Sequence, residues 1–278
     1  TPVIITVNIH KIIGHSGYTK IFNLKIRRDI TPDIFYQKQA SGSVITTSQP
    51  SPGDVAAMWD RLLSSYDEIV FIPMSSGLSN TCQTALILAD DEPYRGKVHV
   101  VDNHRISVTQ AVSVLDAKIL ADEGRSGAEI KQILEQDALA ATIYIAVDTL
   151  EYLKKGGRIT PAAAAFGSML RIKPVLTIQG GKLDSCARAR GMRSAFHTML
   201  GALKKDLDTR LAPLRAQGCL KVGLANTPMA PEKLDTFKAE MHENFPDMDF
   251  VYFPLTMSIG THVGSGGLGI GAVRFHDK

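Results

Sequence analysis

No stretch of this 278-residue chain is long and apolar enough to read as a membrane span, and none has the charged–apolar–small order of a signal peptide. Cysteine is scarce: Cys82, Cys186 and Cys219 stand far apart, odd in number and without a C-x-x-C pair. That argues against a disulfide framework or a cysteine-held zinc and fits a reducing compartment. There is no block of like charge either. The 31 basic and 28 acidic residues are interspersed, leaving a formal net charge of +3. Nucleic acid is therefore not expected as the main partner, although a local cationic patch stays open. These absences together predict a cytoplasmic protein without stable membrane insertion.

Catalytic signatures are missing too. The chain contains no G-x-x-x-x-G-K-[ST] and no G-x-S-x-G. Gly264 to Gly269 fits G-x-G-x-x-G, but it precedes a strand-like run near the C-terminus, the wrong context for a dinucleotide site. His10, His15, His99, His104, His197, His242 and His276 have no metal-ligand spacing. No paired acids sit in an evident pocket loop. The expectation is a protein with no catalytic residues, no metal and no cofactor.

What is present is an ordinary globular composition, 44% hydrophobic, long enough for one large domain or two modest ones. The chain opens without Met, and Thr1-Pro2 leads almost directly into Val3 to Val7. Residues near the beginning are expected to be missing. After Ser51-Pro52-Gly53-Asp54, apolar residues recur at helical spacing through Leu63. Strand-like Ile69 to Ile72 and Val98 to Val101 then alternate with helix-like Asn80 to Ala89 and Val108 to Ala121. One more helix around Ile130 to Leu134 and a strand over Thr142 to Val147 follow. This rhythm predicts an α/β fold with a mainly parallel sheet covered by helices on both faces. Beyond Asp148 the texture changes. A short helix from Thr149 to Lys155 stops at Gly156-Gly157, and an alanine-rich helix runs from Pro161 to Leu170. Strands at Val175 to Ile178 and Leu183 to Ala187 flank a glycine turn. Then come helices over Met192 to Leu211 and Pro231 to Phe245, and strands at Leu220 to Leu224, Phe250 to Phe253 and Leu268 to Phe275. The prediction is two domains, 1–148 and 149–278, the second a mixed-sheet α/β unit.

Four segments carry donor chemistry. Ser75-Ser76-Gly77-Leu78-Ser79 joins a buried strand to a helix start, where unpaired N–H groups and hydroxyls can seat a carboxylate or phosphate. Its plainer reading is a capped strand-to-helix turn. Thr46-Thr47-Ser48-Gln49-Pro50-Ser51-Pro52 sets four hydroxyls before a helix and reads equally as a capping loop. Gly156-Gly157-Arg158 places a fork-shaped cation at a turn, and Arg188, Arg190 and Arg193 cluster; both also read as solvated surface. His262 leads into a glycine-rich loop, where it can bond an anion or simply a carbonyl. Hydroxyl, imidazole and guanidinium donors without an evident base suggest binding an anion more than transforming it.

In this order the segments resemble the DegV family of bacterial fatty-acid-binding proteins, from about Asp29 to the C-terminus. The likeness rests on Thr47-Ser48-Gln49-Pro50-Ser51-Pro52, Ser75 to Ser79, Val100-Val101-Asp102, Thr149 to Ile159, Ile172-Lys173-Pro174, Ala189-Arg190 and His262-Val263-Gly264. It implies a two-domain α/β protein that holds a long-chain fatty acid between its domains. It further implies a subunit that presents the acid to the separate ATP-binding subunit of a fatty acid kinase, which makes the acyl-phosphate. Matched motif to motif, Thr47, Ser79 and His262 correspond to the carboxylate-binding residues, with Ser76 and Gly264 beside them. Arg158 and Arg190 correspond to residues that engage the kinase. Three departures stand out: no Thr-Asp-Ser ends the first strand (Thr6-Val7-Asn8 is a poor echo), Asn80 follows Ser79 where Gly is usual, and Gly264-Ser265-Gly266 replaces Gly-Pro-Gly. Phe166, Met169, Leu170, Leu176 and Ile178 are candidate tunnel walls, although each taken singly reads first as an ordinary core residue. The rival readings are a small-molecule phosphotransferase similar to dihydroxyacetone kinases, and a sensor of a polar ligand.

Overall fold

The computed structural model describes residues 3–7, 11–16, 20–24, 30–165 and 172–276. The first half runs β1 (Val3–Val7), β2 (Lys11–Ser16), β3 (Lys20–Leu24), α1 (Pro32–Ala40), β4 (Val44–Ser48), α2 (Pro52–Leu63), β5 (Glu68–Ile72), α3 (Thr81–Ala89), β6 (Val98–Val100), α4 (Ser107–Asp122) and α5 (Gly127–Gln136). β1, β5 and β6 form the parallel sheet, with β5 in the middle. The two-residue period of β5 divides the core. Ile69 and Phe71 face Val55, Trp59, Cys82 and Ala85 of α2 and α3. Val70 and Ile72 face Ala117, Leu120, Ile130 and Leu134 of α4 and α5. Ser51 and Ser126 close capping boxes with Asp54 and Glu129, which explains where α2 and α5 begin.

The second half continues with β7 (Ala141–Ala146), α6 (Glu151–Gly156), α7 (Pro161–Ala164), β8 (Ile172–Ile178), β9 (Asp184–Arg190), α8 (Met192–Asp208), α9 (Ala212–Ala216), β10 (Leu220–Asn226), α10 (Pro231–Asn244), β11 (Asp249–Tyr252), α11 (Met257–Val263) and β12 (Leu268–Arg274). Its six-stranded sheet has the order β11-β10-β12-β7-β8-β9. β10 and β11 pair parallel, and the other neighbours pair antiparallel, so the sheet is mixed. One face is buried under α8 and α10, where Phe196, Met199 and Leu203 meet Val222, Leu224 and Ile270. The opposite face turns towards the first unit.

The α/β class and the mixed second sheet stand as expected, with three corrections of detail. β7 belongs to the second sheet, paired to β12 and β8. Sheet membership therefore changes between α5 and β7, not at Asp148, because a five- or six-residue apolar strand reads alike whichever partner it takes. A second small sheet, β3-β2-β4, is antiparallel and had no forecast; Thr46 to Ser48, read as a capping loop, are paired with β2 in it. The long helix from Met192 stops at Asp208, and α9 follows separately. Phe166, Met169 and Leu170 lie outside the described residues.

A buried ionic cluster fastens the two units. Arg105, 2% exposed, donates to Ser113 Oγ at 2.8 Å and to the Asp137 carbonyl at 2.6 Å. Asp137 accepts from Arg274 Nη1 at 2.7 Å and bonds His276 Nε2 at 2.5 Å. Burial would raise Asp137, but the His276 bond and the Arg274 and Arg105 charges outweigh it and hold its carboxyl low. Asp116 accepts the His276 backbone N–H at 3.0 Å, while its other oxygen has no hydrogen-bond partner among the described residues. Burial pushes Asp116 up to about 6 against the opposing pull of His276 and Arg105. A folded-state value above the unfolded one means the folded form binds this proton more tightly. That contribution is complete below the ordinary carboxylate range and is lost as pH rises through about 6. Asp116→Asn, which keeps an oxygen for His276, should therefore raise stability by on the order of 2 kcal/mol at pH above 6, with the gap closing below roughly pH 4. Urea unfolding across that range checks it; a gap independent of pH would rule out the ionisation of Asp116 as the cause.

Candidate functional site

The site forms where three loops and one helix meet between the units. α11 follows Thr256, whose extended backbone precedes the first helical residue, and carries Ser258, Ile259, His262 and Val263. These positions lie three and four apart, so one helix face delivers both polar and apolar groups. His262 is thus in the last turn of a helix rather than in a loop. The carbonyls of Gly260 and Thr261 at that end each accept from the Gln39 side-chain amide at 3.1 Å, and Gly260 also accepts the Gly264 N–H at 2.8 Å. Gln39 belongs to α1 and is buried. The His262 ring lies against Gly156, where a Cβ would overlap it at Nδ1, so the glycine is required by close packing. Nε2 meets Thr47 Oγ1 at 2.8 Å, a bond whose direction depends on the imidazole tautomer.

The Ser75–Ser79 loop is clamped from both sides. Ser75 Oγ donates to the Gly180 carbonyl at 2.7 Å, and a Cβ at Gly77 would stand 2.6 Å from that same oxygen. The glycine turn between β8 and β9 therefore rests directly on this loop. Ser79 Oγ lies 2.9 Å from Thr81 Oγ1 and accepts the Thr81 N–H at 3.3 Å, so it helps close the start of α3 although Asn80 is the cap position. Arg158 donates through Nε to the Leu78 carbonyl at 3.3 Å and through Nη1 to the Gly156 carbonyl. It braces the hydroxyl loop against the turn that cradles His262.

Thr47, Ser79 and His262 line one cavity, together with Gln49, Arg158 and Ser258. No Asp or Glu is among its lining residues that the structure describes. Inward it continues, through Leu78, Ile106, Leu183, Ile259 and Val263, into a further apolar space. Ile178, a candidate wall, lines that inner space; Leu176 is fully buried in the adjoining core. On the outer side, Thr47, Arg158 and His262 also border an open polar cleft flanked by Ser43, Thr46 and the Lys155–Glu151 ion pair. Thr47, Arg158 and His262 thus form a partition between an apolar space and a polar cleft.

Ser76 and Gly264 are not drawn into this cavity. The Ser76 N–H points to Asp102 Oδ1 at 3.4 Å, and Gly264 ends α11 at a φ of +77° against the Tyr152 ring. Arg158 and Arg190 are also separated. Leu183, beside Arg158, precedes β9 and Arg190 ends it, which sets them roughly 20 Å apart along the strand. Arg190 is exposed, whereas Arg158 is half-buried in the cavity wall. The Cys82 thiol beneath the loop supplies no nucleophile: burial, reinforced by Asp102 and Glu135, pushes it up to about 12. Ser258 and Gln39 carried no motif; the helical recurrence of 258, 259, 262 and 263 was the available signal for the first.

A family model described as an uncharacterised protein, DegV family, matches residues 20–274. The chain belongs to the DegV family. A DegV domain-containing protein of Clostridium acetobutylicum is 31% identical over 246 residues, 87% of this chain and 83% of that protein. Protein DegV of Bacillus subtilis is 31% identical over 238 residues, 85% and 82% respectively. Among solved structures, a DegV family protein from Thermus thermophilus described by its fatty acid binding superposes with a TM-score of 0.84 at 26% identity, covering 99% of this chain and 100% of that one. A stearic acid-binding protein from Eubacterium ventriosum shares the fold, at a TM-score of 0.80 and 22% identity, over 95% and 90% of the two chains.

The DegV site depends on Gln39 holding the end of α11. Gln39→Leu, close in volume, removes this donor from the Thr261 carbonyl and leaves Gly260 only the Gly264 N–H, and should cost about 1–3 kcal/mol. The exposed neighbour change Lys38→Ala should stay within about 0.5 kcal/mol. Urea unfolding of both variants measures this, and equal midpoints would remove Gln39 from the account.

Proposed function

We propose that this chain binds a long-chain fatty acid in the cytoplasm and presents its carboxylate to the ATP-binding subunit of a fatty acid kinase. The carboxylate sits at Thr47, Ser79 and His262, and the acyl chain runs into the apolar space behind them. The observation that carries the reading is the partition itself: Thr47, Arg158 and His262 border the greasy chamber on one side and the polar cleft on the other. The fatty acid binding described for the Thermus thermophilus relative supports the choice of ligand.

Each buried methylene contributes roughly 0.8 kcal/mol, so a long acyl chain gains on the order of 10 kcal/mol before the entropic costs of binding. The chain supplies affinity, which frees the head-group residues to orient. Hydroxyl and imidazole donors hold a carboxylate without neutralising it, so an oxygen keeps its nucleophilic character. Through the polar cleft a phosphoryl donor on a partner can approach that oxygen, and in phosphoryl transfer positioning is most of the catalysis. Arg158 serves this reading as the brace beside the cleft, and Arg190 as part of a more distant docking face.

Mass spectrometry of lipids extracted from the purified protein should find long-chain acids. Ser79→Ala and His262→Ala should each lower affinity for palmitate or oleate, by about 1.5–3 kcal/mol for a charge-assisted hydrogen bond. An empty protein with no measurable affinity for either acid would sink the proposal. ATP hydrolysis by the isolated chain would favour the phosphotransferase reading instead. Arg158→Ala should lower acyl-phosphate formation with the cognate kinase more than it weakens lipid binding. The reverse order of effects would make Arg158 a head-group ligand.

A further inference from the structure

The inner apolar space is floored by the face of the six-stranded sheet that α8 and α10 leave uncovered. Cross-strand register sets Ala225 opposite Gly269 and Gly269 opposite Ile145. One step along, Gly223 lies opposite Gly271, and Gly271 opposite Ile143. Side chains alternate along a strand, so all these residues share one face. β7 carries branched side chains there, while β10 and β12 carry almost none. A sheet floor normally wants bulky residues, and these two central strands have left a hollow.

The hollow has two unlike halves. A Cβ on Gly223 would stand 3.1 Å from the Val108 side chain, and one on Gly271 would overlap the Thr142 carbonyl. That half is already filled, with Val108 of α4 closing it. At Gly269 the nearest atoms to an added Cβ are the Tyr144 carbonyl oxygen at 3.4 Å, then the Ala225 carbonyl oxygen and Ile145 Cβ at 3.8 Å. Those are ordinary contacts, and Gly269 has no positive φ that would demand glycine. Gly269 and Ala225 both line the inner space, as do Val108 and Ile145. Neither backbone strain nor crowding requires the side chain to be absent at 269, so its absence acts on whatever occupies the cavity.

We propose that Gly269, with Ala225 beside it, is the acyl-length gauge of this site. The bare backbone of β12 and β10 is the bed for the distal methylenes, and Val108 is the stop behind them. The inference deepens the fatty-acid reading and rests on it. A side chain at 269 fills the bed without touching Thr47, Ser79 or His262. Long chains should then lose the contacts of their last methylenes while short chains bind as before.

The experiment titrates wild type, Gly269→Ala, Gly269→Val and the control Gly201→Ala with laurate, palmitate and stearate. Gly201 is exposed on α8 with open space around a Cβ. Each excluded methylene lowers affinity about fourfold. The stearate-to-laurate affinity ratio should therefore fall roughly tenfold or more in Gly269→Val and by a smaller step in Gly269→Ala. The control should keep the wild-type ratio, and lipids extracted from the valine variant should be shorter than those from wild type. Wild-type binding with an unchanged ratio in both variants overturns the gauge and leaves the fatty-acid site standing. Equal loss of all three acids also overturns it, because the side chain would then be deforming the whole site. Absence of binding by wild type overturns the fatty-acid reading and the gauge with it. The alanine variant, whose Cβ meets only ordinary contacts, keeps the test decisive if the valine variant does not fold.

Discussion

The bond between Thr47 and His262, 2.8 Å long and bridging 215 residues of sequence, is the constraint around which the site is assembled. Neither partner can reach the other unless α11 lies between the small antiparallel sheet and α6. That placement is enforced by groups with no part in ligand chemistry. Gln39 donates to the last carbonyls of α11, and Gly156 yields its side-chain space to the imidazole. Arg158 ties the hydroxyl loop to the same turn. Because an unsatisfied buried carbonyl or a sub-contact overlap costs as much as several good contacts return, the arrangement has few alternatives.

The second organising fact is the gradient across that bond. On one side stand hydrocarbon walls drawn from both units; on the other, a cleft edged by hydroxyls and the Lys155–Glu151 pair. Among the described residues that line the cavity there is no acidic group to repel an anion, and the thiol nearest the loop keeps its proton. A ligand with a carboxylate head and an apolar tail matches such a gradient, whereas a wholly polar ligand would leave the inner walls dry and unused. The hollow between β10 and β12 extends the argument to the far end, where missing side chains, not present ones, shape the space.

Much of this architecture was legible from local pattern. Ile69 to Ile72 alternate between two helical covers as period-2 burial requires, and Ser51 and Ser126 mark their helices through ordinary capping chemistry. The elements that escaped did so for physical reasons. β4 is short and half-exposed, so its Thr-Thr-Ser run resembles a capping loop until β2 pairs with it. α11 has seven residues, so its helical recurrence is confined to 258, 259, 262 and 263, and its glycine reads as a breaker. β7 looks the same in either sheet, since strand pairing is decided by register with distant segments.

By itself the sequence determined which residue types were available: neutral donors in four short segments, apolar runs at strand and helix periods, and no evident base or metal set. Those depend on side-chain chemistry and on spacing within a few residues, which the linear chain states outright. Only the tertiary structure decided that Thr47, Ser79 and His262 share a wall while Ser76 and Gly264 face elsewhere, and that Arg158 and Arg190 part company along β9. It alone made Gly269 a cavity floor and not a turn. Each of those outcomes follows from cross-strand register and close backbone packing between segments far apart in the chain, where distances are set by the whole fold and have no local signature.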